Sequence, residues 1–197
     1  MKTYIMLASS NVMSGEGGES VEEIVINDLA GMDIDEVFEQ IMTEYGQDIL
    51  NLTYSYVKNI AVAEDLTQEI FVKCYLNLAS FKQEASFRTW LWRIAINHCK
   101  DFLKSWHHRN VLLSTKADIE VEARNNRVED IVIEKDETNE LEQAILALPL
   151  KYREPIYLFY YQDLSIKEIK EILGVRENTI KTRLRRAKVL LKNHLEG

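Results

Sequence analysis

Proline is almost missing from this chain of 197 residues: there are two, with seven glycines and two cysteines. So few breakers, and few runs of Val, Ile or Thr at period two, exclude a turn-rich all-β fold and point to helices. Two cysteines cannot build the disulfide framework of a small secreted domain; Cys74 and Cys99 stand in apolar helical contexts, so reduced, buried thiols in a cytoplasmic protein are the expectation. Long apolar runs are lacking as well. The opening MKTYIMLASS breaks off after about five apolar residues, too short for the h-region of a signal peptide. No window approaches the roughly 20 apolar residues of a membrane span. There is no phosphate-binding Gly loop, no nucleophile elbow and no carboxylate pair at a catalytic spacing. Cys74, His98, Cys99, His107 and His108 lack CxxC or HxxxH spacing, and neighbours on one helix such as His98 and Cys99 point about 100° apart. An enzyme, a metal centre and a cofactor are therefore not expected.

What is present is apolar periodicity and an uneven distribution of charge. Hydrophobic residues make up 46% of the chain, enough for a core in one large or two small helical domains. The formal net charge is −8, yet residues 1–60 hold two basic and eleven acidic residues, while Thr179 to Lys192 holds six basic and none acidic. The two ends have opposite partners in prospect.

Residues 1–32, with SGEGGES, read as a flexible extension in which VEEIVINDLAGM could form a short amphipathic segment. From Asp33 the spacing of Ile34, Val37, Phe38, Ile41, Met42 and Tyr45 predicts a helix, and Ile49, Leu50, Leu52, Tyr56 and Val57 a second. AEDLTQEIFVKCYLNLASF gives a third, apolar on one side and carrying Glu64, Asp65, Gln68 and Glu69 on the other. Phe87 to Trp106 gives a fourth, so 33–106 reads as a four-helix domain. Residues 107–138 turn polar and read as a linker. Periodicity resumes at Leu141, and Pro149 breaks the helix that follows, so 139–197 reads as a second, smaller helical domain. The fold class is all-α, two small helical domains joined by a polar linker.

In the second domain Ser165 and Glu168 have the spacing of a capping box, and Gly174 sits where a residue of positive φ ends a helix. A second helix should begin within about three residues, which makes a helix-turn-helix. Its inward face is Ile180, Leu184, Ala187 and Leu191. The outward faces carry Lys181, Arg183, Arg185, Arg186, Lys188 and Lys192 without intervening acids, whereas a merely solvated helix interleaves both signs. Such a helix fits the major groove of duplex DNA: Arg176, Glu177, Asn178, Thr179 and Lys181 at base edges, later cations on phosphates. In the first domain Phe81, Phe87, Trp90 and Trp92 alternate with Lys82, Arg88 and Arg93, the ingredients of a single-strand surface on which bases stack. The same aromatics suit a core, and chemistry alone leaves the two open.

AEDLTQEIFVKCY, FRTWLWRIAINHCKDFLK and LPLKYREPIYLFYYQDLSIKEIKEILGVRENTIKTRLRRAK, in that order across a polar linker, resemble the extracytoplasmic-function group of bacterial RNA polymerase sigma factors. The resemblance covers about 35–106 and 141–195. It implies that Asp65, Gln68 and Glu69 dock on core RNA polymerase, where an acidic face suits a basic coiled coil. It implies that Phe81, Phe87, Trp90, Asn97 and Lys100 melt and hold the minus-10 promoter DNA around a flipped base. It further implies that Arg176, Glu177, Asn178, Thr179, Lys181, Thr182, Arg183, Arg185 and Arg186 read the minus-35 element. An anti-sigma factor, often membrane-anchored, is the further partner the group implies. Lys170 departs from the group's pattern, standing where a small residue usually packs, so its stem should snorkel outward. Arg176, at the N-cap, forfeits a cap and gains a cation. The competing reading is a free-standing helix-turn-helix regulator, which has no need of an acidic docking face.

Overall fold

A computed structural model describes Val21, residues 34–114 (side chains through His107) and residues 140–196. Every regular element among the described residues is helical. They are α1 (Ile34–Val57), α2 (Ile60–Leu78), α3 (Phe87–Ser114), α4 (Glu140–Ala147), α5 (Leu150–Ile156) continued by a π-helical turn at Tyr157–Tyr161, α6 (Ile166–Leu173) and α7 (Glu177–Leu195).

α1 merges the two helices that its apolar pattern suggested. Val37, Ile41, Tyr45, Ile49, Leu52 and Tyr56 recur every three or four residues and are all buried, so one stripe runs through Gly46 without a break. Burial of that stripe outweighs the roughly 1 kcal/mol by which glycine disfavours a helix interior. The chain then reverses over two residues. Lys58 adopts φ 54°, and Asn59 caps α2 by accepting a hydrogen bond from the Val62 N–H at 3.1 Å. Thr53 locks the pair, its hydroxyl 3.0 Å from that of Thr67 on α2. Val21, in helical conformation and buried, joins the same core, and its N–H donates to Glu44. The rest of the proposed flexible extension lies outside the described residues.

α3 begins where the Ser86 hydroxyl accepts from the Thr89 N–H. It buries Phe87, Leu91, Trp92, Ala95, Ile96, Cys99 and Leu103. It continues through Ser114, eight residues beyond the predicted end at Trp106; the expected linker thus loses its first quarter to helix, and the remainder lies outside the described residues. Burial pushes the thiols of Cys74 and Cys99 from their ordinary 9.0 up to about 12, which keeps them protonated.

The second domain follows its sequence signals closely. Pro149 separates α4 from α5. Pro155 lies inside α5 and has no N–H to give to the helical ladder, and the chain passes directly into the π-helical turn. Ser165 and Glu168 form the capping box, and Gly174 ends α6 at φ 67°. α4, α5 and α6 all pack on α7, burying Ile180, Leu184 and Ala187.

The two domains are docked, with α6 lying along α3 and one apolar cluster running through both. The seam is also polar. Glu154, 5% exposed, accepts from the Tyr56 hydroxyl at 2.7 Å and pairs with Lys100 at 3.1 Å. Arg153, 4% exposed, donates to the carbonyls of Ser55 and Leu148. Arg88 donates to both the backbone and side-chain oxygens of Gln162, and the Tyr157 hydroxyl to the Asp48 carbonyl. Burial first, then the adjacent Glu154 carboxylate, raise the Tyr56 hydroxyl well above its usual range, so it remains a donor.

Candidate nucleic-acid and protein interfaces

Three surfaces hold most of the residues singled out from sequence. The first is the outer face of α2. Asp65, Gln68 and Glu69 are exposed together because positions three and four apart share a helix face. The same face continues into Val72, 58% exposed, and Leu76, 72% exposed. Sequence reasoning passed over both, although the 65, 69, 72, 76 spacing is the signal that would have found them. Apolar side chains so open beside carboxylates form a surface suited to a partner with both apolar and basic groups.

The second surface is the loop between α2 and α3 and the start of α3. Ser80, Phe81, Lys82, Glu84, Ala85, Trp90 and Arg93 line a pocket of about 120 Å³. The Phe81 and Trp90 rings, 5.2 Å apart, form one wall, and Lys82 and Arg93 supply cations. Phe87 corrects the expectation placed on it: it is 1% exposed, packed against Tyr45, Phe81 and Trp90, and supports the pocket from the core instead of offering a face to a base. Asn97 is exposed about two turns further along α3. Lys100 also departs from a free DNA-facing cation, since Glu154 holds it at the domain seam. Arg88 is likewise engaged at the seam, bound to Gln162.

The third surface is the helix-turn-helix. Arg176 stands at the N-cap of α7 with no side-chain cap, as its departure from a Ser-type residue implied. Arg176, Asn178, Lys181, Thr182, Arg185 and Arg186 are exposed, and Glu177, Thr179 and Arg183 half-buried. Lys170 points outward, its ammonium 3.8 Å from Glu177. A groove of about 810 Å³ runs between α7 and the start of α5. Its α7 wall includes Asn178, Thr179, Thr182, Arg183, Arg185 and Arg186; its other wall is Lys151 and Tyr152, which sequence reasoning did not single out because they stand apart from the basic run.

These surfaces fall within two matched family models, "Sigma-70 region 2" over residues 41–109 and "Sigma-70, region 4" over residues 138–191. The ECF RNA polymerase sigma factor SigW of Bacillus subtilis is 35% identical over 167 residues, covering 81% of this chain and 89% of SigW. The chain belongs to the ECF group of RNA polymerase sigma factors. Two solved structures share the sigma factor's two-domain helical fold. CnrH, in complex with the cytosolic domain of CnrY, matches with a TM-score of 0.63 at 21% identity, covering 89% of this chain and 97% of CnrH. RpoE of Bartonella quintana, in complex with the anti-sigma factor NepR, matches with a TM-score of 0.64 at 24% identity, covering 81% and 96%. As a sigma factor, the protein binds core RNA polymerase and promoter DNA to direct transcription initiation. Among its described residues, no helix is long and apolar enough to cross a membrane.

Proposed function

We propose that this sigma factor divides promoter recognition among its three surfaces. The α2 face of Asp65, Gln68 and Glu69, extended by Val72 and Leu76, docks on core polymerase. The pocket walled by Phe81 and Trp90 takes a base extruded from the minus-10 element, with Asn97 and, once released from Glu154, Lys100 holding the strand. Stacking and pocket contacts offset the few kcal/mol that unstacking costs. The exposed side of α7, from Arg176 to Arg186, enters the major groove at the minus-35 element. Domains 33–106 and 139–197 carry these tasks, and 107–138 spans them. The protein acts by binding, in the cytoplasm, with no reaction or cofactor of its own. Like RpoE, it takes an anti-sigma factor as a further partner.

The observation that carries this reading is the placement of opposite surfaces on separate helices: an exposed acidic and apolar face on α2, and an exposed basic face on α7. A free-standing regulator would have no use for the first. The test is run-off transcription with purified core polymerase on a genomic promoter library. Transcripts that start only when the protein is added, and that share two upstream elements, are the expected result. Absence of any protein-dependent transcript overturns the proposal.

A further inference from the structure

His98 has no place in the surfaces described above, yet both its ring nitrogens are engaged by the docking helix. Its side chain is 11% exposed on α3. Nε2 lies 2.8 Å from a carboxylate oxygen of Glu69, and Nδ1 lies 2.7 Å from the ammonium of Lys73. A lysine ammonium only donates, so Nδ1 is the acceptor of that bond, and Nε2 donates to Glu69. Glu69 and Lys73 are one turn apart on α2, so the ring closes a clamp that joins two helices.

We propose that His98 is a positioning residue for polymerase docking, holding the Glu69 carboxylate in place at the centre of the α2 face. This rests on the reading of that face as the polymerase surface. Glu69 stands between Asp65 and Gln68 on one side and Val72 on the other. A free glutamate there would have to give up rotamer freedom on docking; the clamp removes part of that cost beforehand. Lys73, on the other side of the ring, balances the Glu69 charge. Glu69 and Lys73, both from α2, are the charged groups that meet the ring.

The test measures the affinity of the full chain for core RNA polymerase as wild type, His98→Ala and His98→Gln. Glutamine keeps an N–H donor for Glu69. His98→Ala should bind roughly three- to fivefold more weakly and His98→Gln within about twofold of wild type. Wild-type affinity in His98→Ala, or a loss in His98→Gln as large as in His98→Ala, overturns the proposal; should His98→Ala fail to fold, His98→Leu takes its place with the same outcomes. Asp65→Ala with Gln68→Ala separates the two levels. If that pair weakens binding and the His98 variants do not, only the clamp fails; if that pair binds as wild type, the docking face itself is misassigned.

Discussion

The outer side of α7 and the seam between the domains both depend on charged side chains, but the charges have opposite surroundings. On α7, Lys181, Arg185 and Arg186 stand in solvent. In the seam, Arg153 and Glu154 are nearly fully buried, and Ser55, Tyr56 and Lys100 meet them from the other domain. An exposed cation contributes little to folding and remains available to a phosphate. A buried one makes the arrangement of its neighbours depend on it, because removing a partner strands a charge or carbonyl without water. Adjacent positions in one sequence motif, LPLKYRE, thus hold the domains together, while the basic run some thirty residues later is free to meet a ligand.

The sharpest way to break this contrast is Arg153→Ala. It should cost about 3–5 kcal/mol, since it leaves the Ser55 and Leu148 carbonyls unpaired in the seam. Denaturant unfolding followed by tryptophan emission reads this directly, because Trp92 packs against Tyr157 at the seam with its rings 6.0 Å apart. A loss below about 1 kcal/mol would place the seam's charges with ordinary surface pairs.

Alkaline titration addresses the same region. Cys99 lies beneath the seam, its thiol raised by burial and, further, by Glu154. Both cysteine pKa values are raised in the folded state, so their contribution is fully present below about pH 9 and is lost as pH rises towards about 12. Stability should fall by up to about 1.4 kcal/mol per pH unit per thiol across that window, and Cys99→Ala should flatten the decline. An unchanged slope in that variant would contradict the buried-thiol account.

Gly174 and Gly46 stand in opposite backbone conformations. Gly174→Ala should cost about 1–2 kcal/mol, because φ 67° strains any side chain there. Gly46→Ala should instead add about 0.5–1 kcal/mol, since an added Cβ meets nothing within 4 Å in a regular helix. Thermal melts of the two variants should move in opposite directions. Smallest of all should be the stability effect of Arg185→Ala or Arg186→Ala, within about 0.5 kcal/mol, even where DNA binding falls about tenfold.

The helix-turn-helix was legible in the sequence because its signals are local. Ser165 and Glu168 are three apart, Gly174 marks the turn, and Ile180, Leu184 and Ala187 declare the buried face. The acidic face of α2 was legible for the same reason. The seam was not, because Tyr56 and Glu154 are 98 positions apart and neither breaks a local rule. Phe87 shows the remaining limit: an aromatic at the start of a basic helix suits a base platform and a core equally well, and only the packing of Tyr45 over it decides. His98 entered the sequence reading as a metal ligand without the right spacing, and spacing could not show that Glu69 and Lys73 would meet its two nitrogens.

The division of labour between α2 and α7 is tested most directly by one paired experiment in the reconstituted holoenzyme. Affinity for core polymerase and protection of the upstream promoter element are measured for Asp65→Ala with Gln68→Ala beside Lys181→Ala with Arg185→Ala. The α2 variant should lose polymerase affinity and, once enough is added to saturate the polymerase, protect the upstream element normally. The α7 variant should bind polymerase as wild type and lose that protection. If either variant loses both properties together, or if the two exchange phenotypes, the assignment of polymerase to one surface and duplex DNA to the other is wrong.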